Sequence, residues 1–166
     1  MSSENGLFVS PTKGELNLEA VAAEVSQFID EDATSFYRLV IGTDSQTRRS
    51  NGDTETDFVS AIVIHRIGHG GRYFWHKEKQ KKKFVLREKI YRETLLSLEL
   101  AHELVPILRK IITPSKYDLE IHIDVGSVGP TRDMIREVVG MVTGSGFTAK
   151  TKPESYGAFV VADKYT

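Results

Sequence analysis

Two aspartates in this chain follow strand-forming stretches and precede turn-forming ones. Asp44 comes after the apolar run Leu39-Val40-Ile41, and Asp124 comes after a stretch that alternates apolar and polar residues from Leu119. Polar or glycine-rich residues follow each acid, so we expect both carboxylates near the C-terminal ends of strands. In a mainly parallel sheet, these ends are where ligands and active sites collect.

The chemistry open to these acids depends on whether they meet. A single aspartate at a strand end can cap the following turn through backbone amides. Two carboxylates that lie close together at low dielectric repel each other, and they need either a shared proton or a divalent cation between them. Asp124, like Asp44, follows a predicted strand and precedes a turn, which favours a pair of acids that share a proton or a cation over a single turn cap.

Hydrophobic periodicity predicts the elements that carry Asp44. Residues 1–14 are mostly small and polar and are expected to form a loosely ordered lead-in, and an amphipathic helix over 17–32 follows, with Asn17 as its N-cap. Three strands with short connections come next and predict an antiparallel meander. The first should end at Asp44, before a turn-rich polar stretch over 45–53. The other two span Phe58 to His65 and begin at Arg72.

Helices and strands alternate in the second half of the chain. A long helix is predicted over 84–112, and Pro106 should kink or split it. The strand that ends at Asp124 follows, and then a helix that stops at Gly144. A short strand over 147–152 comes after it. This alternation is typical of strands that run parallel and are linked by helices.

The last segment, 154–165, is predicted as a helix that carries Asp163. A strand over 158–162 is the competing interpretation, because the apolar run is short. We find no internal repeat or linker, and 166 residues with 40% hydrophobic content are typical of one globular domain over 1–166.

Composition excludes several classes of site. There is no cysteine, which excludes a disulfide framework and zinc-thiolate sites. The 22 basic and 23 acidic residues nearly cancel, so net charge indicates no particular partner. No apolar run approaches the ~20 residues that span a bilayer, and the N-terminus does not resemble a signal peptide. We therefore expect no membrane association and a cytoplasmic location.

Basic residues are concentrated in one stretch, between Lys77 and Arg92, where eight of them accompany only two glutamates. Such a run is either a solvated turn and helix start or a contact for a phosphate backbone. Aromatic residues at 73–75 lie just before it. The candidate nucleic-acid-binding residues in this stretch are Lys81, Lys82, Lys83 and Arg87.

Several short motifs between Val40 and Lys164 together resemble one family. They are Ile41-Gly42-Thr43-Asp44-Ser45-Gln46, Arg92-Glu93 with Ser97-Leu98-Glu99-Leu100-Ala101, His122-Ile123-Asp124, Val142-Thr143-Gly144-Ser145-Gly146-Phe147, Lys152-Pro153 and Ala162-Asp163-Lys164. With the predicted order of elements, they resemble the YkuK-type family of predicted ribonuclease H-like nucleases. The resemblance implies an α/β fold with a mixed five-stranded sheet, in which three antiparallel strands precede helix-linked parallel strands, flanked by helices and preceded by an extra N-terminal helix.

The resemblance also implies a carboxylate cluster that holds one or two Mg²⁺ or Mn²⁺ ions. Carried over by position, Asp44 would bridge both ions, Glu93 and Asp124 would hold one, and Asp163 would hold the other, each as metal ligand and catalytic residue. Glu99 is the alternative helix acid, and it lies about 120° around the helix from Glu93, so both cannot face one cluster. Lys152 and Lys164 would contact phosphate or offset the charge of the cluster.

The implied activity is hydrolysis of phosphodiester bonds in RNA, RNA/DNA hybrid or structured DNA. One departure from the ribonuclease H pattern is that 152–155 contains no histidine before the last helix. The alternative is a non-catalytic module that binds nucleic acid with the same fold. A third reading is an ATP-binding phosphotransferase related to actin-like kinases, although a chain of this length lacks their second lobe.

Overall fold

The computed structural model describes residues 6–155. Within this range the chain forms a seven-stranded mixed sheet and three α-helices. In chain order the elements are β1 (Phe8–Ser10), β2 (Gly14–Leu16), α1 (Leu18–Glu31), β3 (Tyr37–Ser50), β4 (Asp53–Arg66), β5 (Gly71–Gln80), α2 (Leu86–Arg109), β6 (Asp118–His122), α3 (Ile135–Gly144) and β7 (Thr148–Lys150). Short 3₁₀ helices at Pro114–Lys116 and Arg132–Met134 precede β6 and α3.

The sheet combines an antiparallel meander with parallel strands. Its strand order is β2-β1-β5-β4-β3-β6-β7. Strands β3, β4 and β5 are antiparallel neighbours, whereas β6 is parallel to β3 and β7 is parallel to β6. This α/β arrangement is consistent with a ribonuclease H-like fold. None of the helices within residues 6–155 is long and apolar enough to cross a membrane.

The main core lies between one face of the sheet and the helices. Leu39 and Ile41 of β3 are fully buried there with Val25 of α1 and Leu104 of α2. Burial of each such side chain contributes about 1.5–3 kcal/mol relative to leaving it exposed. Because side chains alternate along a strand, Val40 points to the opposite face, where it is buried with Ala61 of β4.

The predicted loose lead-in and five-stranded sheet are wrong for residues 8–16. This segment forms β1 and β2, an antiparallel hairpin that joins the sheet where Val9 pairs with Trp75 of β5. The buried side chain of Phe8 packs into the main core, which ties the hairpin down. The Ser10 hydroxyl accepts hydrogen bonds from the backbone N–H groups of Thr12 and Lys13, at 3.3 and 3.2 Å, and closes the turn.

The prediction that the first strand ends at Asp44 is also wrong, because β3 continues to Ser50. The polar residues past Asp44 remain extended because they pair with β4, and the Arg48 Nε donates to Asp57 Oδ2 at 2.8 Å. The hairpin reverses at Asn51 and Gly52, whose φ angles of 54° and 83° suit a tight two-residue turn. Strand β5 begins at Gly71, one residue before the predicted start, and includes the first lysines of the basic run.

Pro106 does not split α2, which is a continuous helix from Leu86 to Arg109. Proline has no N–H, so the carbonyl four residues earlier, at His102, loses its helical donor. Both residues are exposed, so this carbonyl lies on the solvent side of the helix. The predicted closing helix, with Asp163 and Lys164, lies outside the described residues apart from its first positions.

Two glycines should respond oppositely to the same substitution. A Cβ at Gly71 would lie 2.6 Å from the backbone carbonyl oxygen of Ile64, whereas a Cβ at Gly140 in α3 would meet nothing within 4 Å. We expect Gly71→Ala to lower the free energy of unfolding and Gly140→Ala to raise it by about 0.5–1 kcal/mol. Urea denaturation measures both, and equal effects of the two variants would contradict the packing at Gly71.

Candidate metal centre and nucleic-acid interface

The register of two parallel strands brings the two aspartates to the same end of the sheet. Gly42 of β3 pairs with His122 of β6, and this is the last pair of their parallel ladder. Asp44 and Asp124 each come two residues after this pair, but Asp44 is still within β3, whereas β6 ends at His122 and not at Asp124 as predicted. The carboxylates predicted from separate parts of the sequence therefore follow the same end of this ladder.

The segment that follows β7 brings Lys152 close to Asp124. Backbone hydrogen bonds continue past the ends of β6 and β7, because the Ile123 N–H donates to the Lys150 carbonyl at 2.9 Å and the Lys152 N–H donates to the Val125 carbonyl at 2.8 Å. The Lys152 ammonium Nζ lies 2.7 Å from Asp124 Oδ1. Lys152 is thus an ion-pair partner of a predicted metal ligand.

The third acid comes from α2. Glu93 is only 6% exposed, and its Oε2 accepts a hydrogen bond from the Ser45 hydroxyl of β3. A second hydroxyl contact lies beside it, where Thr43 Oγ1 is 2.8 Å from Ser97 Oγ of the same helix and 2.9 Å from Ser60 Oγ of β4. Polar contacts between α2 and β3 therefore hold Glu93 next to the strand that carries Asp44.

Burial is the largest cause of an unusual protonation equilibrium at Glu93. It raises the pKa of this carboxyl from 4.5 to about 8, the Ser45 hydrogen bond lowers it, and the charges of Asp44 and Asp124 raise it. Thr43 and Ser45 face α2. The side chain of Asp44, which lies between them, therefore projects from the opposite face of β3. The charges of both aspartates therefore reach Glu93, and a pKa of about 8 keeps Glu93 mostly protonated at neutral pH.

These acids supply the donor chemistry of a hard cation. Carboxylate oxygens are the ligands that Mg²⁺ and Mn²⁺ prefer, and a divalent cation would relieve the repulsion that Asp44 and Asp124 exert on Glu93. Within residues 6–155, however, no three His, Asp or Glu side chains are grouped closely enough to hold a metal ion. Asp163, the fourth predicted ligand, lies outside this range.

The predicted nucleic-acid-binding residues fall into two groups. Lys81, Lys82 and Lys83 are exposed in the connection between β5 and α2, where Lys82 also makes a 3.5 Å ion pair with Glu88. Arg87 instead contacts both carboxylate oxygens of Glu137 in α3, at 2.9 and 3.1 Å. Its guanidinium therefore links α2 to α3. Lys164 lies outside the described residues.

Three other polar residues of β3 and β6 contact one another. The fully buried side chain of His122 lies 3.0 Å from Glu120 Oε1, and Arg38 Nε lies 3.2 Å from Glu120 Oε2. Glu99, the alternative to Glu93, is exposed on α2. Glu93 is the buried helix acid, and the charges of Asp44 and Asp124 raise its pKa.

Comparisons with known proteins agree with this architecture. The ribonuclease H-like family model matches residues 20–166. The uncharacterized protein YkuK of Bacillus subtilis (strain 168) is 36% identical over 177 aligned residues, which cover 99% of each chain. This chain belongs to the YkuK-type ribonuclease H-like family. No solved structure matches it significantly.

Membership of this family gives the chain a nuclease-type fold and revises one expectation. The family match begins at residue 20, inside α1, so this helix is not simply an addition in front of the ribonuclease H-like region. The extra N-terminal elements of this YkuK-type chain are instead the short strands β1 and β2, which precede the match.

Ser45 is a site residue that the sequence analysis did not single out. Its position two residues after Thr43 could have predicted that the Ser45 and Thr43 side chains face the same side of the sheet, because alternate residues of a strand do so. In this YkuK-type chain that side is the one covered by α2, which brings the Ser45 hydroxyl to Glu93.

The raised pKa of Glu93 predicts a specific pH dependence of stability. Because the folded pKa of about 8 exceeds the ordinary 4.5, the folded state holds one more proton than the unfolded state between these values. The stabilisation is complete below about pH 4.5 and is lost as pH rises through 8. Glu93→Gln should remove a slope of about 1.4 kcal/mol per pH unit between about pH 5 and 7.5.

Urea denaturation in metal-free buffer, repeated across this pH range, measures the slope. Glu99→Gln is the matched control, because it makes the same change at an exposed position of the same helix. An identical pH slope in wild type and Glu93→Gln would show that Glu93 titrates normally.

Proposed function

We propose that this protein is a divalent-metal-dependent nuclease that hydrolyses phosphodiester bonds in RNA, RNA/DNA hybrid or structured DNA. The observation that carries the proposal is that Asp44 and Asp124 follow the same end of the parallel β3–β6 ladder, with a buried Glu93 whose pKa both acids raise. Acids that raise one another's pKa in this way can be stabilised by a proton, a basic side chain or a bound cation. Membership of a ribonuclease H-like family makes a metal-assisted hydrolase the natural interpretation.

The proposed ligands are Asp44, Glu93, Asp124 and Asp163. In this scheme Asp44, Glu93 and Asp124 would hold one Mg²⁺ or Mn²⁺ ion, and Asp44 with Asp163 would hold a second. When bound, such ions activate water and stabilise the leaving oxygen of phosphoryl transfer. Glu93 must lose its proton to become a ligand, and Ser45 orients its carboxylate through Oε2.

Substrate contacts are assigned to the exposed lysines of the β5–α2 connection. Lys81, Lys82 and Lys83 present three adjacent cations, a pattern that suits a phosphate backbone rather than particular bases. Arg87 is a weaker candidate than the sequence analysis implied, because Glu137 already binds its guanidinium through two oxygens.

One observation favours a second candidate, a nucleic-acid-binding module without catalysis. Within residues 6–155 the acids are not grouped as a metal site, and the Lys152 ammonium already neutralises Asp124. In such a module the same lysines would hold nucleic acid, and Asp44, Glu93 and Asp124 would have a structural role only.

Metal binding and cleavage separate the two candidates. We expect isothermal titration calorimetry to detect Mn²⁺ binding by the wild type, and Asp44→Asn or Asp124→Asn to weaken it at least tenfold, because each removes a carboxylate ligand. The same variants should abolish Mn²⁺-dependent cleavage of labelled hybrid, RNA or branched DNA. Glu93→Gln should behave similarly, whereas Glu99→Gln should retain both properties.

Retention of nucleic-acid binding without cleavage of any of the three substrates, in a protein that binds no Mn²⁺, would favour the module. Loss of activity in Glu99→Gln but not in Glu93→Gln would reassign the helix acid.

The lysine assignment predicts a change in salt dependence. Replacing Lys81, Lys82 and Lys83 by glutamine should weaken binding to duplexes and reduce the slope of log Kd against log salt by about 2–3, since each phosphate contact contributes about 0.9. The matched control replaces Arg109, Lys110 and Lys116, which are three exposed cations near the other end of α2. Equal losses in both triple variants would indicate a general effect of net charge.

A further inference from the structure

The connection between β5 and α2 has a fixed backbone although its lysines are exposed. The hydroxyl of Thr56, a fully buried residue of β4, donates a 2.7 Å hydrogen bond to the carbonyl of Lys82. The Lys82 N–H donates to the Gln80 carbonyl at 2.8 Å, which turns the chain directly after β5. Both backbone polar groups of Lys82 are thus occupied, and they determine the path of the connection.

An aromatic contact holds the other end of the connection. The half-buried ring of Phe84 packs edge-on against the buried ring of Phe58 in β4, with the centroids 5.3 Å apart and an interplanar angle of 88°. The next residue, Val85, donates its backbone N–H to the Glu88 carboxylate at 3.2 Å, at the start of α2. The exposed lysines therefore lie on a short segment that is held on both sides.

The three lysines of this connection are not equivalent. The Lys82 ammonium lies 4.6 Å from the centroid of the Phe84 ring and 3.5 Å from Glu88 Oε2, so it is directed toward the start of α2. Lys81 and Lys83 are exposed, and within residues 6–155 neither makes an ion pair or a cation–π contact. Their ammonium groups can approach a phosphate without losing an internal partner.

We propose that the β5–α2 connection is a preformed contact for the phosphate backbone of a nucleic acid, in which Lys81 and Lys83 bind phosphates and Thr56 is the positioning residue. This inference rests on the proposed function, because it concerns the substrate contact assigned there. Ordering a flexible loop on binding costs affinity, so a backbone that is already fixed retains more of the electrostatic attraction. Lys82 keeps its internal contacts and contributes less.

Salt dependence separates the positioning residue from the charges. Loss of a lysine that binds a phosphate reduces the number of released counter-ions, and it lowers the slope of log Kd against log salt by about 0.9. Loss of the Thr56 hydrogen bond instead adds an ordering cost that salt does not screen. Affinity should then fall equally at every salt concentration, and the slope should stay the same.

Fluorescence anisotropy with a labelled RNA/DNA hybrid in EDTA measures binding without cleavage. Thr56→Val should weaken binding about threefold to tenfold at every salt concentration, and Thr56→Ser, which keeps the hydroxyl, should restore it. The matched control is Thr94→Val, because the buried Thr94 hydroxyl also donates to a backbone carbonyl, at 2.8 Å from Ile90 within α2. Thr94→Val should leave hybrid binding unchanged, and urea denaturation shows whether each variant is folded.

Single lysine variants test the assignment without disturbing the buried hydrogen bond. Lys81→Gln and Lys83→Gln should each lower the salt slope by about 0.9, whereas Lys82→Gln should lower it by less than half as much. These substitutions are at exposed positions, so they decide the unequal roles even if Thr56→Val does not fold. Equal slope losses in the three single variants would overturn the assignment to Lys81 and Lys83.

The outcomes distinguish this inference from the proposed function. If replacement of all three lysines weakens hybrid binding but folded Thr56→Val binds as tightly as the wild type, the positioning role of Thr56 is wrong and the lysine contact stands. If the wild type binds no nucleic acid, both proposals are wrong. A parallel loss in Thr56→Val that Thr56→Ser restores and Thr94→Val does not share would support the inference.

Discussion

Parallel pairing of β6 with its two neighbours determines which polar side chains can meet at the end of the sheet. Ile121 is fully buried on the helix-covered face, and Glu120 and His122 bond to each other on the opposite face. A slip of one residue would exchange these faces, placing an acid and a histidine in the apolar core. The apolar core therefore enforces the register that brings Asp124 to the end of the sheet where Asp44 lies, and beside Lys152.

Helix α2 adds a second constraint, because it buries the carboxyl group of Glu93 against β3. Removing a carboxyl group from water is unfavourable unless it is protonated or hydrogen-bonded, and Glu93 has both compensations. Ser45 satisfies one oxygen, and the adjacent contacts of Thr43 with Ser97 and Ser60 attach the helix and β4 to β3. Ionisation of Glu93 above neutral pH lowers the stability of the fold. A buried acid of this kind within an otherwise well-packed helix is common at functional sites.

The sequence was sufficient for much of the fold, because core residues carry a readable period. The apolar run before Asp44 and the alternation before Asp124 predict the two strands that matter most, and Asn17 begins α1 as expected, accepting the Ala20 N–H at 2.8 Å. Strand ends were missed where polar pairs rather than apolar burial keep the chain extended, as at Arg48 and Asp57. No local pattern reveals such cross-strand partners.

The candidate site was less predictable than the fold for a related reason. Residue types indicate that acids and lysines are present, but pairing depends on register and helix placement. The sequence predicts Arg87 as a phosphate contact and gives no sign that Glu137 of α3 lies against it. Ser45 and Lys152 owe their roles to neighbours 48 and 28 positions away in sequence, at Glu93 and Asp124 respectively. Such contacts follow from tertiary structure alone.

A proton and an ammonium group limit the negative charge at this end of the sheet. The charges of Asp44 and Asp124 raise the pKa of Glu93, and full ionisation would leave mutually repelling charges beside an apolar core. The proton on Glu93 removes one charge, and Lys152 offsets another at Asp124. These internal counter-charges make the acids tolerable in the folded chain.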